Sequence, residues 1–148
     1  MLQRLIIQNI ALIEQLDIEF APGFNVMTGE TGAGKSIIID AVNFVAGERA
    51  SRELLRHGAK KASVEAVFSC PDPSITLLHR LSELEIELED NTLILARELN
   101  DAGKGVCRVN GVAVTAATLK SVSDCIIDIH GQHEHQSLLD SKQHIQLL

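Results

Sequence analysis

The sequence predicts an α/β fold that combines a mixed sheet with an antiparallel β-subdomain, and three observations carry this prediction. First, a glycine-rich stretch, Gly29-Glu30-Thr31-Gly32-Ala33-Gly34-Lys35-Ser36, stands between a short β-prone run, 24–27, and an apolar helical run, 37–46. Second, runs that alternate apolar and polar residues lie on both sides of that unit, where half-buried strands are expected. Third, the turn signals at 100–105 and Asn110-Gly111 sit between such runs at hairpin spacing.

Taken in order, Leu2 to Ile10 reads as a strand and Leu16 to Phe20 as a second, with Ala11-Leu12-Ile13-Glu14 as an apolar corner between them. Ala21-Pro22-Gly23 turns the chain into the 24–27 strand, and Gly47 is placed to cap the helix that follows the glycine loop. Residues 47–58 form a polar connector with some helical character, and Ala62 to Phe68 alternates as a strand that stops at Cys70-Pro71-Asp72-Pro73. Ser74 is a helix N-cap, and Ile75, Leu77, Leu78 and Leu81 are spaced for one buried face through about Leu84. Strands follow at Thr92–Leu99, Val106–Val109 and Val112–Val114, then a short helix from Thr115 to Val122. A buried strand is expected at 125–130, and Asp140 or Ser141 caps a further helix that the chain leaves unfinished at Leu148, as at a fragment boundary.

The glycine stretch fits G-x-x-x-x-G-K-[ST], the P-loop or Walker A pattern, and its strand–loop–helix setting gives the pattern its physics. Glycines let the backbone curl until several N–H groups face one phosphate, and the helix beginning there adds the positive end of its dipole. Lys35 is positioned to reach the β- and γ-phosphates of a nucleotide, and the Ser36 hydroxyl to bind Mg2+. The competing reading is a chance match in a glycine-rich turn. The flanking strand and helix argue against it.

Nearly half of the 148 residues are hydrophobic, enough for a sizeable core, and the only aromatics are four phenylalanines. A net charge of −7 argues against a strongly basic nucleic-acid surface on this piece. Cys70, Cys107 and Cys125 are odd in number and show no C-x-x-C spacing, which fits a reducing cytoplasm and neither a disulfide framework nor a cysteine zinc site. No apolar run approaches the length of a membrane span, and no signal-peptide pattern appears, so a soluble protein is expected.

Five stretches carry a family resemblance: 5–13, 29–37, Gly47-Glu48-Arg49-Ala50, Arg108-Val109-Asn110-Gly111, and Ile129-His130-Gly131-Gln132-His133-Glu134-His135-Gln136. In this order they resemble the SMC-like branch of the ABC-type ATPases, in the members that serve bacterial DNA repair. The resemblance implies a P-loop NTPase of the ABC/SMC-head type, with residues 1–148 as the N-terminal lobe of a split head. A coiled coil and a C-terminal lobe with the signature motif, Walker B acids and switch histidine would lie elsewhere. It implies ATP and Mg2+ as cofactors, with Gly29, Glu30, Thr31, Gly32, Ala33, Gly34, Lys35, Ser36 and Ile37 around the nucleotide. Lys35 and Gln132 become the catalytic candidates, and Ser36 and Gln132 the metal ligands, with Gln132 in the position of the Q-loop glutamine. Asn9 to Ala11 would lie near the base or ribose. The implied partners are a second head across sandwiched ATP and DNA through the full-length protein, in a cytoplasmic, nucleoid-associated setting.

The departure from the family's pattern is an absence. No L-S-G-G type motif appears, and Ile126-Ile127-Asp128 is followed by Ile129-His130-Gly131 where a Glu is wanted. The expectation is therefore an ATP-driven dimerising head that hydrolyses ATP only when its other lobe is supplied. A non-hydrolysing assembly module is the alternative. A small-molecule kinase with Asp128 as its magnesium acid is a third reading, opposed by the strand-rich region after the P-loop helix. A GTPase is disfavoured because N-K-x-D is absent.

Other residues keep plainer alternatives. Without the resemblance, Gln132 is equally an ordinary loop glutamine. Successive positions point to opposite sides of an extended chain, which sets His130 opposite His133 and His135, and no cysteine stands at ligand spacing, so polar loop residues describe them better than a zinc site. Arg49, Arg52 and Arg56 read as a solvated connector, or as contacts to nucleotide, opposing head or DNA phosphate. The acidic stretch Glu83 to Asp90 reads as a solvated face, and Asn110-Gly111 as a turn without chemistry.

Overall fold

A computed structural model describes residues 1–20 and 32–127. The strands are β1 (Leu2–Ile10), β2 (Ile13–Glu19), β3 (Lys61–Ser69), β4 (Thr92–Asn100), β5 (Gly105–Val109) and β6 (Val112–Val114). The helices are α1 (Gly32–Val45), α2 (Ile75–Glu83) and α3 (Ala116–Ser123), and a 3-10 turn at Arg52–Leu54 lies in the connector. All six strands join one sheet in the order β2-β1-β3-β4-β5-β6, every pair antiparallel. This is the antiparallel subdomain the hairpin signals predict. The 24–27 strand and the helix expected near residue 140 lie outside the described residues.

Alternation sorts the two faces of the sheet. Leu5, Ala66, Leu95 and Val109 stand in register across β1, β3, β4 and β5, and all four are buried. One position over, Ile6, Glu65, Ala96 and Arg108 form the matching row of the other face. A one-residue slip would exchange the two rows, so the pattern fixes the register. Helices cover the apolar face: Ala41, Phe44 and Val45 from α1, Leu77 and Leu81 from α2, and Leu119 and Val122 from α3 belong to the same core. Each fully buried Leu or Ile there contributes about 1.5–3 kcal/mol.

Local chemistry explains the ends of the elements. Ser74 and Thr115 cap α2 and α3, their side chains accepting from the N–H of Leu77 and Thr118. Asn110 and Gly111 both have positive φ, 47° and 84°, as the two-residue hairpin turn requires.

Three expectations need correction. β2 begins at Ile13 rather than Leu16, because the β1–β2 ladder runs on to the Ile10–Ile13 pair and the corner shrinks to Ala11-Leu12, where the N–H of Ala11 donates to Leu54 O at 2.8 Å. The apolar face of α2 is narrower than its spacing suggests: Leu77 and Leu81 are buried, but Ile75 is 87% and Leu78 48% exposed. At about 100° per residue, Ile75 lies on the far side of the helix from Leu77, and Leu78 lies to one flank. The strand expected from Cys125 does not begin there. Cys125 and Ile126 continue the turns of α3, their N–H groups donating to Val122 O and Ser123 O, and residues 128–130 lie outside the described residues.

Candidate nucleotide site

The described chain takes up the P-loop motif at Gly32, where α1 starts. Gly29, Glu30, Thr31 and Gln132 lie outside the described residues, as do His130, His133 and His135 and the side chains of Gly32 to Lys35. Ser36 follows in the helix and is exposed, with Ile37 half-buried behind it. The first turn of α1 contains no acidic side chain. Within that turn no carboxylate offsets the backbone N–H groups and the positive dipole end. An anion with an accompanying cation fits such a helix end, with the Ser36 hydroxyl reachable from solvent.

What holds that helix end in place is the other end of α1. Gly47 and Glu48 close the helix with the paired bonds of a Schellman cap, Glu48 N–H to Asn43 O and Gly47 N–H to Phe44 O, both at 3.1 Å. Arg97 reaches across from β4. Its guanidinium donates to Phe44 O at 2.9 Å and Glu48 O at 2.6 Å, and lies 4.6 Å from the centre of the Phe44 ring. A cation on the last carbonyls complements the negative end of the dipole. From α3, the buried hydroxyl of Ser123 donates to Ala46 O, and Lys120 Nζ lies 2.8 Å from Glu48 and 3.5 Å from Asp124. The hydrogen bond to Glu48 raises the Lys120 pKa, opposed in part by desolvation.

The sequence reading missed Arg97, Lys120 and Ser123 as supports of this helix. One signal for Arg97 was available: it occupies the buried parity of β4, in series with Leu93, Leu95 and Leu99. A charge at a core position of an alternating strand asks for a partner.

The other candidates are placed as follows. Asn9 has φ 57° and donates through its amide to Lys61 O at 2.9 Å, while its own carbonyl accepts the N–H of Arg56. With Ala11 N–H on Leu54 O, these bonds stitch the β1–β2 turn to the connector. Arg52 donates to Ala102 O at 2.9 Å and lies against Gly103, tying the connector to the β4–β5 turn. Its side chain has a structural partner; Arg49 is exposed and Arg56 half-buried. Among the described residues no cluster of His, Cys, Asp or Glu forms a metal site. No described helix is long and apolar enough to cross a membrane.

Comparison with known proteins defines the class first: the family profile described as AAA domain matches residues 4–92, and the chain belongs to that family. The fold is that of an SMC-type ATPase head. The Smc head domain of Pyrococcus yayanosii superposes with a TM-score of 0.70 at 19% identity, covering 99% of this chain and 31% of that one. The SMC head domain from Thermotoga maritima superposes with a TM-score of 0.61 at 25% identity, over 80% and 40% respectively. More particularly, the sequence is similar along its whole length to the DNA repair protein RecN. Identity is 45% with RecN of Halalkalibacterium halodurans and 44% with that of Bacillus subtilis strain 168, each over 148 residues. The match is to the N-terminal part of RecN, and the chain spans 26% of the length of these relatives.

Proposed function

We propose that this chain is the ATP-binding N-terminal lobe of the ATPase head of a bacterial DNA repair protein. The observation that carries the proposal is the coincidence of a complete P-loop pattern at the start of α1 with whole-length similarity to RecN. In this reading the backbone of Gly29 to Ser36 cradles the phosphates and Ile37 backs the loop. Lys35 contacts the β- and γ-phosphates, Ser36 holds Mg2+, and Gln132 contacts the metal and the region of the attacking water. Bound Mg2+ would neutralise charge developing on the phosphates. A second head would bury ATP against this one, and DNA would be engaged by the full-length protein in the cytoplasm, at the nucleoid.

Positioning of the nucleotide is the part of the chemistry these residues can perform. The acid that aligns water and the donors of the opposing head have no candidate in the sequence. The chain alone should therefore bind ATP and turn it over barely above background.

Calorimetry with ATP and magnesium tests the binding half. Lys35→Ala removes a charge-assisted contact that a neutral side chain cannot replace, so affinity should fall at least tenfold, which is about 1.4 kcal/mol. Unchanged affinity removes the P-loop assignment. A phosphate-release assay tests the catalytic half: adding the C-terminal lobe of the same head should restore turnover, and Gln132→Ala should then lower turnover more than binding. Robust turnover by the chain alone that needs Asp128 and survives loss of Gln132 would favour the kinase reading instead.

A further inference from the structure

A depression of about 950 Å3 lies between α2, the loop at residues 84–91, and the adjoining ends of β4 and β6. Leu78 and Val112 on its walls are 48% and 43% exposed, and the half-buried Leu88 and Ile94 also line it. Glu85, Glu87, Glu89 and Asp90 stand on the same lining, which among the described residues includes no Lys, Arg or His. None of these four carboxylates takes part in an ion pair among the described residues.

The wall that carries the acids is built in. Asn110 accepts the N–H of Ile94 at 2.6 Å and donates to Glu87 O and Thr92 O, each at 3.3 Å. Ile86 N–H bonds Leu81 O at 2.9 Å, and Asn91 O accepts from Cys70 N–H at 2.7 Å. Glu85, Asp90 and Asn91 are held at positive φ, from 52° to 58°. The groove therefore requires little ordering on binding, which lowers the entropic cost of filling it.

We infer that this groove docks a Lys/Arg-rich amphipathic segment of a partner protein, apolar side chains on Leu78, Leu88 and Val112 and cations on the glutamates. Charge complementarity selects this occupant. Four unpaired carboxylates repel nucleic-acid phosphate and anionic lipid, while the exposed leucine and valine would leave a purely hydrophilic cation poorly matched. An amphipathic helix laid in a groove is an established recognition mode for such a surface. The inference stands apart from nucleotide binding.

The test is fluorescence anisotropy with a labelled synthetic peptide of about 15 residues, leucines at i, i+3, i+4 and i+7 and lysines elsewhere. A peptide of the same composition in permuted order serves as control. The 148-residue chain should bind the first peptide at least about tenfold more tightly than the second, and less tightly as salt rises. Leu78→Ser, and separately the triple change Glu85→Gln, Glu87→Gln and Glu89→Gln, should each weaken binding about tenfold. Both alter exposed or half-exposed positions, and unchanged melting curves show that the fold persists. Should Leu78→Ser melt early, Val112→Ser takes its place. Equal binding of the two peptides, or indifference to both sets of changes, overturns the inference. So does equal competition by spermidine, which would mean a small polycation site. Self-association of the chain that Leu78→Ser abolishes would assign the groove to a second copy, and overturns it as well.

Discussion

Gly47→Ala is the change that most directly tests how α1 is held. Gly47 ends the helix at φ 95°, a region that side-chain-bearing residues enter at a cost of about 1–2 kcal/mol. Its neighbour adds a second cost. A Cβ at Gly47 would stand 2.6 Å from Lys120 N and 2.8 Å from Lys120 Cα, backbone atoms of α3 that cannot swing aside. Forcing the helices apart by the needed fraction of an ångström is overpacking, typically about 1–3 kcal/mol. Together these costs predict a loss of about 2–5 kcal/mol, a large share of the 5–15 kcal/mol by which domains are usually stable.

Gly58 supplies the internal control. It has φ 84°, close to that of Gly47, but a Cβ there meets nothing within 4 Å. Gly58→Ala should cost only the conformational part, about 1–2 kcal/mol. Urea unfolding of the two variants, followed by circular dichroism, separates the costs as a difference in midpoint at unchanged slope. Equal losses would refute the close α1–α3 approach, and with it the account of how the P-loop helix is anchored.

Two further changes probe the same supports. Arg97→Ala removes two charged hydrogen bonds and a cation–π contact from the end of α1, and should destabilise by about 2–4 kcal/mol in thermal unfolding, with Arg97→Lys recovering less than half. Burial raises the thiol pKa of Cys70 and of Cys107 above the ordinary 9.0. The unfolded chain then loses those protons first, so their contribution to stability is level below about pH 9 and falls as pH rises beyond it. Unfolding midpoints at pH 7 and 10 of the wild type and of Cys70→Ala/Cys107→Ala check this, the variant showing the smaller decline.

Much of this architecture was legible before any coordinates, because it rests on local signals. Ser74, Thr115, Gly47 and Asn110-Gly111 each do in the structure what their positions in the sequence predict. Strand alternation placed β1, β3, β4 and β5 within a residue or two of their observed ends. What was not legible is non-local. The Ala11-Leu12 corner finds its partner in Leu54, more than forty residues away along the chain, which accepts the N–H of Ala11. The exposure of Ile75 and Leu78 depends on which side of α2 meets the core: Leu77 and Leu81 take that side, and four apolar residues in the sequence do not by themselves say which of them will. At the candidate site the motif was readable because glycine, lysine and serine at fixed spacing carry their own chemistry. Its supports were less so: the parity of Arg97 asks for a partner without naming it, and a helix lysine and a helix serine acquire their roles only by meeting the end of α1.

That meeting point bears on the proposed chemistry through the chain path as well as through stability. Under the proposed function, residues near the start of α1 would position a nucleotide only if the helix is fixed relative to the proposed Q-loop glutamine. Gln132 is separated from Lys35 in sequence by four of the six described strands, but it follows Ser123, the last residue of α3, by only nine positions. Ser123 and Lys120 are the α3 residues that grip Ala46 and Glu48 just past the end of α1. The long detour through β3, α2, β4, β5 and β6 therefore returns the chain to α1 and clamps it there immediately before the proposed Q-loop. A weakened clamp should then disturb the relation between Lys35 and Gln132 before it disturbs either residue's own surroundings. On this reasoning, Gly47→Ala examined below its melting temperature should lower the turnover of a reconstituted head more than its affinity for ATP. Equal losses in both would mean that the joint serves stability alone.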